Sequence, residues 1–213
     1  MTEPDRESVR VAPGAPVLDF WFDFGSNYSY LSVMRIEQAA AMGGVQVRWK
    51  PFLLGPVFAS MGWPTSPFVL QKEKGTYVWQ DMARQCRKQG IGWRQPRAFP
   101  RSAVLALRVA LVGAEQPWMA RYCRRMMSLN FAEDRDIDAL PVVEAVLHEL
   151  ALPAAEILAH AHSHPIKLEL RRQTEAAQAL GIFGAPMFFV GPDMYWGNDR
   201  LDDALAACSE VLS

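Results

Sequence analysis

Cysteine is scarce in this sequence, and the placement of the few cysteines argues against two classes of protein. There are 3 cysteines in 213 residues, Cys86, Cys123 and Cys208, far apart and with no C-x-x-C pair. An odd number without a close pair argues against a disulfide-stapled scaffold, and the missing C-x-x-C counts against a dithiol oxidoreductase. Each cysteine lies in a helical pattern, so we interpret all three as small buried apolar residues.

An excess of basic charge is also missing. The chain has 22 Lys and Arg against 23 Asp and Glu, a net charge of −1, which excludes the usual electrostatic footprint of a nucleic-acid-binding protein. No apolar run is long enough to cross a bilayer, and residues 1–15 lack the apolar segment of a secretory signal. We therefore expect a cytoplasmic protein without membrane or nucleic-acid partners, with residues 1–15 disordered.

The histidines between 148 and 164 are interpreted as residues near a helix end, and we expect no metal site.

The hydrophobic pattern predicts an α/β fold in three parts. Apolar residues make up 50% of the chain and charged residues 21%, as in globular proteins. A buried strand, a helix and an alternating strand form a βαβ unit, and a ββα segment ends the chain. Their expected ranges are 17–24, 28–42 and 45–50, then 187–190, 194–196 and 198–212.

A stretch rich in Gly, Pro and Trp, from Pro56 to Pro67, indicates a loop. Helical patterns follow it, and their expected ranges are 70–89, 103–112, 117–130, 140–150, 153–160 and 168–180. Residues 60–180 carry no strand signal. We therefore predict a discontinuous α/β domain of residues 16–58 and 178–213, interrupted by an all-helical insertion domain of residues 59–177.

Ser26 is the first candidate for chemistry, because it follows a buried strand and precedes a helix. Serine is a good N-cap, so one interpretation is that Ser26 only satisfies backbone N–H groups of the first turn. Asn27 could cap instead and free the Ser26 hydroxyl. A helix N-terminus stabilises an anion, and a hydroxyl beside it can donate a hydrogen bond to a thiolate or carboxylate. The residues alone leave both roles open.

Two segments near the end of the chain are further candidates. Ala185 precedes Pro186 just before a strand, and a cis bond there would turn the Ala185 backbone toward an extended ligand. We predict that this bond is cis and faces Ser26, the alternative being an ordinary loop proline.

In the second segment, Asn198 and Asp199 start a helix, where they could be caps. A carboxylate, an amide and free N–H groups at one helix start could also hold an α-amino acid head, with its ammonium on Asp199.

These signals, taken in order along the chain, carry a resemblance that covers nearly everything from Val17 onward. The matching motifs are D-F-G-S-N-Y-S-Y-L at 23–31, K-P-F-L-L-G at 50–55, Lys74, Tyr77, Asp81 and Arg84, F-P at 99–100, G-I-F-G-A-P at 181–186 and W-G-N-D-R-L at 196–201. The sequence resembles the kappa-class glutathione transferases and, more closely, the 2-hydroxychromene-2-carboxylate isomerases. Both are thioredoxin-fold relatives of the DsbA-type oxidoreductases with an inserted helical domain.

The resemblance implies a thioredoxin-like fold and a glutathione site. Ser26 would stand where thioredoxins keep their attacking cysteine, and glutathione would supply the missing sulfur. Ala185 would bond the cysteinyl backbone of glutathione, and the γ-glutamyl end would be held by Trp196, Gly197, Asn198 and Asp199. The aromatic substrate would lie against Phe99 and Pro100, and Lys50 is a candidate for steering its carboxylate. A homodimer is also implied.

Three positions depart from the family pattern. Asn27 replaces the proline after the serine, and Met187 replaces the usual Thr or Ser after Pro186. Trp63 stands where many relatives have an asparagine in the glutathione and substrate site.

The sequence therefore predicts a glutathione-dependent isomerase that converts 2-hydroxychromene-2-carboxylate to trans-o-hydroxybenzylidenepyruvate. A kappa-type transferase or peroxidase, a disulfide oxidoreductase and a non-catalytic thioredoxin-like binding protein are the alternatives.

Overall fold

A four-stranded sheet is the centre of the computed structural model, which describes residues 14–210. The strands, in chain order, are β1 (Val17–Phe22), β2 (Gln46–Pro51), β3 (Met187–Val190) and β4 (Asp193–Trp196). Their order in the sheet is β2-β1-β3-β4, with β1 parallel to β2 and the other pairs antiparallel. All four predicted strands are confirmed, to within two residues at each end.

The aromatic residues of β1 explain why this strand shows so little alternation in sequence. Phe20 packs on Phe22 and on Phe188 of β3, with ring centroids 5.2 Å apart in each pair. Trp21 points to the opposite face and packs on Phe52. Because β1 is covered on both faces, it needs apolar residues on both, as central strands do.

Ten α-helices surround the sheet in the described residues. They are α1 (Asn27–Met42), α2 (Leu54–Ser60), α3 (Pro67–Leu70), α4 (Lys72–Gln89), α5 (Val104–Val112), α6 (Met119–Phe131), α7 (Leu140–Glu149), α8 (Ala154–His162), α9 (His164–Ala179) and α10 (Leu201–Glu210). A short 3-10 turn, Asn198–Arg200, precedes α10. Residues 60–180 contain helix and loop and contribute no strand, as predicted.

Three helices differ from the prediction. The short helix α3 begins at Pro67, the last residue of the expected loop, because the Ser66 side chain caps it and proline suits its first turn. The sequence indicated a loop from residue 56, whereas α2 already begins at Leu54; its Pro56 lies in the first turn, where no N–H is needed. The helix α9 begins at His164 rather than near residue 168. Ser163 accepts a hydrogen bond from the Ile166 N–H, and Pro165 fits the first turn for the same reason as Pro56.

One hydrophobic core joins the sheet to the inserted helices. The same cluster contains Phe22 of β1, Tyr30 of α1, Met82 of α4 and Met126 of α6, all fully buried. The division into two domains therefore stays a prediction, and so does the disorder of residues 1–15, of which 1–13 lie outside the described residues.

The three cysteines are free and buried, as the sequence indicated. Burial raises the pKa of the Cys86 thiol to about 12 and raises the pKa of Cys123 and Cys208 as well. All three thiols therefore stay protonated at neutral pH and are poor nucleophiles.

Candidate functional site

A cavity of about 1430 Å³ opens between the carboxyl end of β1, the start of α1 and the inserted helices. Nine of the predicted site residues line it: Ser26, Trp63, Phe99, Pro100, Ala185, Trp196, Gly197, Asn198 and Asp199. Lys50 does not. It lies within β2 beside Trp21, and it is not among the residues that line the cavity. The structure therefore joins the predicted glutathione and aromatic residues in one place and leaves Lys50 outside.

Ser26 caps α1, and its hydroxyl also donates a hydrogen bond to the cis-proline loop. Its Oγ accepts the Ser29 N–H at 3.2 Å, so Ser26 is the N-cap of α1. The same hydroxyl donates to the carbonyl oxygen of Ala185 at 2.9 Å, and the Ala185–Pro186 bond is cis, as predicted. A hydroxyl hydrogen rotates freely, so Ser26 can redirect it to a nearby anion while Oγ continues to cap the helix.

Two residues of α1, Ser32 and Arg35, donate hydrogen bonds to Asn198, and neither was predicted as a site residue. The Ser32 hydroxyl donates to the Asn198 Oδ1 at 3.1 Å, and Arg35 Nη2 donates to the Asn198 carbonyl at 2.9 Å. Arg35 also pairs with Asp202 at 2.7 Å. Ser32 and Arg35 lie one and two turns after Tyr28 on the same face of α1, a spacing that could have pointed to them.

The Trp196 segment is fixed to the cis-proline loop by its backbone. The Gly197 N–H donates to the Pro186 carbonyl at 3.0 Å, with Gly197 at a φ of 104° that favours glycine. The Trp196 ring packs edge-on against Phe183, with centroids 4.8 Å apart. Asp199 pairs with Arg200 at 3.1 Å on the exposed rim. This segment therefore presents an indole, a backbone turn and a carboxylate beside Ala185.

Aromatic rings form the opposite wall of the cavity. Phe99 packs edge-on against Trp79 at 4.7 Å between centroids, and Trp63 packs against Phe58 at 5.7 Å. The Phe99–Pro100 bond is also cis. Such a wall suits a flat aromatic ligand.

One polar face of α4 completes the cavity. No role was predicted for the residues of this face. It contributes Lys74, Tyr77, Asp81, Gln85 and Lys88, spaced three or four residues apart. The Tyr28 hydroxyl donates to Asp81 at 2.8 Å, and burial together with this carboxylate raises the pKa of Tyr28. Tyr28 therefore stays protonated and acts only as a hydrogen-bonding group at neutral pH.

A buried ion pair fixes the loop that carries Phe99 and Pro100. Arg101 pairs with Asp134, and its Nη1 donates to the Asn130 Oδ1 at 2.8 Å. Asn130 Nδ2 in turn donates to the carbonyl of Phe24 at 2.9 Å. Hydrogen bonds from Arg101 and Arg97 hold the pKa of Asp134 well below its usual range. The network therefore ties the aromatic wall to the chain that leads into Ser26.

Asp23 lies in the cavity wall and has a raised pKa. Its carboxylate accepts the Gly25 N–H at 2.7 Å and the Leu54 N–H at 2.8 Å, which joins the start of α2 to the end of β1. Burial raises its pKa from 3.8 to about 6, although the two N–H groups act in the opposite direction.

This raised pKa predicts a pH-dependent stability. The folded protein holds the Asp23 proton more tightly than the unfolded chain, so the stability that this proton contributes is full below about pH 3.8 and is lost as pH rises through about 6. We expect the free energy of unfolding of the wild type, minus that of Asp23→Asn, to fall by about 2 kcal/mol between about pH 4 and pH 7. Urea denaturation across this range measures it, and a difference independent of pH would contradict the prediction.

The fold is that of a thioredoxin-like protein, with the cavity between a serine-capped helix and a cis-proline loop. The chain belongs to the DSBA-like thioredoxin domain family, which matches residues 17–208. The thioredoxin fold implied by the resemblance is thereby confirmed.

Individual relatives are named for two related activities. The chain is 29% identical over 190 residues to the 2-hydroxychromene-2-carboxylate isomerase of Pseudomonas putida, covering 87% of this chain and 90% of the relative. It is 25% identical over 204 residues to glutathione S-transferase kappa 2 of Caenorhabditis elegans, covering 89% and 90%. A solved structure of 2-hydroxychromene-2-carboxylate isomerase superimposes with a TM-score of 0.81 at 25% identity, covering 92% of this chain and 96% of that chain. These relatives support an isomerase-type enzyme.

Within residues 14–210, no helix combines the length and the apolar character needed to span a bilayer.

Proposed function

We propose that this protein is a glutathione-dependent isomerase of the 2-hydroxychromene-2-carboxylate type. The observation that carries the proposal is the contact between the Ser26 hydroxyl and the Ala185 carbonyl, 2.9 Å apart, at the N-terminus of α1 and beside the cavity. A helix N-terminus, a hydroxyl and an exposed backbone turn together suit a peptide-like ligand that carries a thiolate. The relative named glutathione S-transferase kappa 2 supports the ligand, and the relatives named isomerases support the reaction.

In the proposed complex the backbone of the cysteinyl residue of glutathione pairs with Ala185. A ligand N–H that donates to the Ala185 carbonyl competes with Ser26 for this acceptor and frees the Ser26 hydrogen. Ser26 then donates to the sulfur while its Oγ still caps the helix. Trp196, Gly197, Asn198 and Asp199 hold the γ-glutamyl end, with Asp199 facing its ammonium.

Bound glutathione would supply a thiolate that adds reversibly to the substrate, so that the pyran ring opens, a bond rotates and the trans product is released with the thiol regenerated. The chain's own residues stabilise the charge and bind the substrate. Ser26 and the start of α1 stabilise negative charge, while Phe99, Pro100 and Trp63 hold the aromatic ring and keep water away from it.

Lys74 replaces Lys50 as the proposed contact for the substrate carboxylate. Five cations line the cavity, but Arg35, Arg101 and Arg200 are each paired with a carboxylate. Among residues 14–210 no acidic side chain forms an ion pair with Lys74, whose ammonium lies 5.8 Å from the centroid of the Phe68 ring. Lys74 therefore offers an available charge on the aromatic side of the cavity.

Lys74→Gln is expected to lower kcat/KM for the chromene carboxylate about tenfold or more, because one hydrogen bond to a charged group is lost, worth about 1.5–3 kcal/mol. The thiol pKa of bound glutathione should not change. Steady-state kinetics and an ultraviolet titration measure the two effects. Lys50→Gln is the matched control, and an equal loss in both variants would remove Lys74 from the site.

A kappa-type transferase is the second candidate, favoured by the similarity to glutathione S-transferase kappa 2. Assays with 2-hydroxychromene-2-carboxylate and with a halonitrobenzene separate the two. The proposal expects rapid isomerisation of the first and little conjugation of the second. The reverse result would identify a transferase, and reduction of insulin disulfides would identify an oxidoreductase. The homodimer and the cytoplasmic location stay predictions.

A further inference from the structure

Asn27 has a buried amide group without a partner in the wall of the proposed glutathione site. The side chain is 1% exposed, and among residues 14–210 its Nδ2 has no hydrogen-bond acceptor. Burial of an amide donor without a partner destabilises the folded protein. Such a group in a folded protein calls for an explanation, and a ligand that binds beside it is one.

The position of Asn27 connects this amide to the Ser26 site. Asn27 is the first residue of α1, directly after the Ser26 cap, and it lines the same cavity as Ser26, Ala185 and Asn198. Its own backbone N–H is one of those at a helix start that have no intrahelical acceptor. Two donors of one residue, one from the backbone and one from the side chain, are thus placed where the helix dipole favours an anion.

The structure also shows why a second donor is useful here. In this structure the Ser26 hydrogen is given to Ala185, so Ser26 alone stabilises a thiolate only after that bond is broken. The Nδ2 of Asn27 has no such competing acceptor among residues 14–210. A half-turn of the amide about its last side-chain bond would present this donor to a ligand in the cavity that Asn27 lines. An amide donor is also neutral, so it lowers a thiol pKa without a charged partner.

We infer that Asn27 is a second hydrogen-bond donor to the glutathione thiolate, acting beside Ser26. This inference rests on the proposed function, because it assigns a role within the same site. The proline that the family has at this position could not act in this way, because proline has neither a side-chain donor nor a backbone N–H.

Two substitutions test the inference without damage to the helix. Asn27→Ala removes only the amide. Asn27→Pro removes the backbone N–H as well, and the fold should accept it, because proline suits the first helical position and Ser26 already has the extended φ and ψ, −85° and 117°, that precede proline. Ser29→Ala is the matched control. The Ser29 hydroxyl is buried and has no hydrogen-bond partner within the described range 14–210, and Ser29 is not among the residues that line the cavity. The Ser29 backbone N–H, which donates to Ser26, is kept in this variant.

We expect Asn27→Ala to raise the thiol pKa of bound glutathione by about one unit, so that the ratio of thiolate to thiol at a given pH falls about tenfold. Asn27→Pro should raise it at least as much, and Ser29→Ala should leave it unchanged. The melting temperature of the ligand-free Asn27→Ala protein should be equal to or higher than that of the wild type, since a buried donor without a partner is removed. Ultraviolet titration of each complex and thermal melts give both readouts.

The possible failures are distinguishable. If the wild type binds no glutathione, or leaves its thiol pKa at the solution value, the proposed function fails and the inference fails with it. If the wild type lowers the pKa and Ser26→Ala raises it again, while Asn27→Ala does not move it, the inference about Asn27 alone is overturned. A thiol pKa that rises equally in Ser29→Ala would also overturn it, because the effect would then be a general one of the first helical turn.

Discussion

Replacing Ser26 by alanine is expected to raise the thiol pKa of bound glutathione by about one to two units and to slow turnover at neutral pH. The physical reason is the loss of one hydrogen bond to a charged group, worth about 1.5–3 kcal/mol. Ultraviolet titration of the complex measures the pKa directly. Turnover should recover in part as pH rises, because the thiolate then forms without help.

Ser26→Ala should also cost stability, since Ser26 caps α1 and donates to Ala185. Loss of an N-cap costs about 1 kcal/mol. Ser26→Thr keeps a hydroxyl and is the control, with a thiol pKa near that of the wild type. An alanine variant that is less stable but has an unmoved thiol pKa and normal turnover would show that Ser26 is only a cap.

The second large effect is expected from Gly184→Ala. A Cβ at residue 184 would lie 2.6 Å from the Nε1 of Trp196, a distance that forces the indole to move. Trp196 is 52% exposed and can turn outward, so the fold should lose little stability. Because Trp196 and Gly197 are proposed to hold the γ-glutamyl end, we expect glutathione to bind at least tenfold more weakly, as calorimetry can measure.

Gly43→Ala is the matched control for this substitution. Gly43 lies at the end of α1, outside the cavity, and an added Cβ would make ordinary contacts of 3.6 Å or more. Its glutathione affinity should equal that of the wild type. Unchanged affinity in Gly184→Ala would mean that the Trp196 segment does not contact the ligand.

The sequence predicted the sheet well because its strands are marked by strong local signals. Aromatic residues fill β1, and turn residues separate β3 from β4. The helix α2 was missed because Gly55 and Pro56 favour a loop in any local scale, whereas the fold supplies an acceptor for the Leu54 N–H from Asp23. A contact of this kind joins residues that are distant in sequence and has no local signature.

The same limit applies to the site. Ser26, Ala185 and Asn198 were found because motifs mark them, and the structure brings them to one cavity. Arg35 was missed because its contact with Asn198 spans 163 residues. Lys50 was wrongly predicted to lie near the substrate. It begins the K-P-F-L-L-G motif, and later residues of this motif such as Leu53 do line the cavity, but Lys50 itself lies within β2.

The most direct test of the central claim is the rate at which the purified protein isomerises 2-hydroxychromene-2-carboxylate with and without glutathione. The account predicts a rate that rises to saturation with glutathione, that is negligible without it, and that S-methylglutathione inhibits because it fills the site without a free thiol. Glutathione should not be consumed. Turnover that is equally fast without glutathione, or no turnover at any glutathione concentration, would contradict the account.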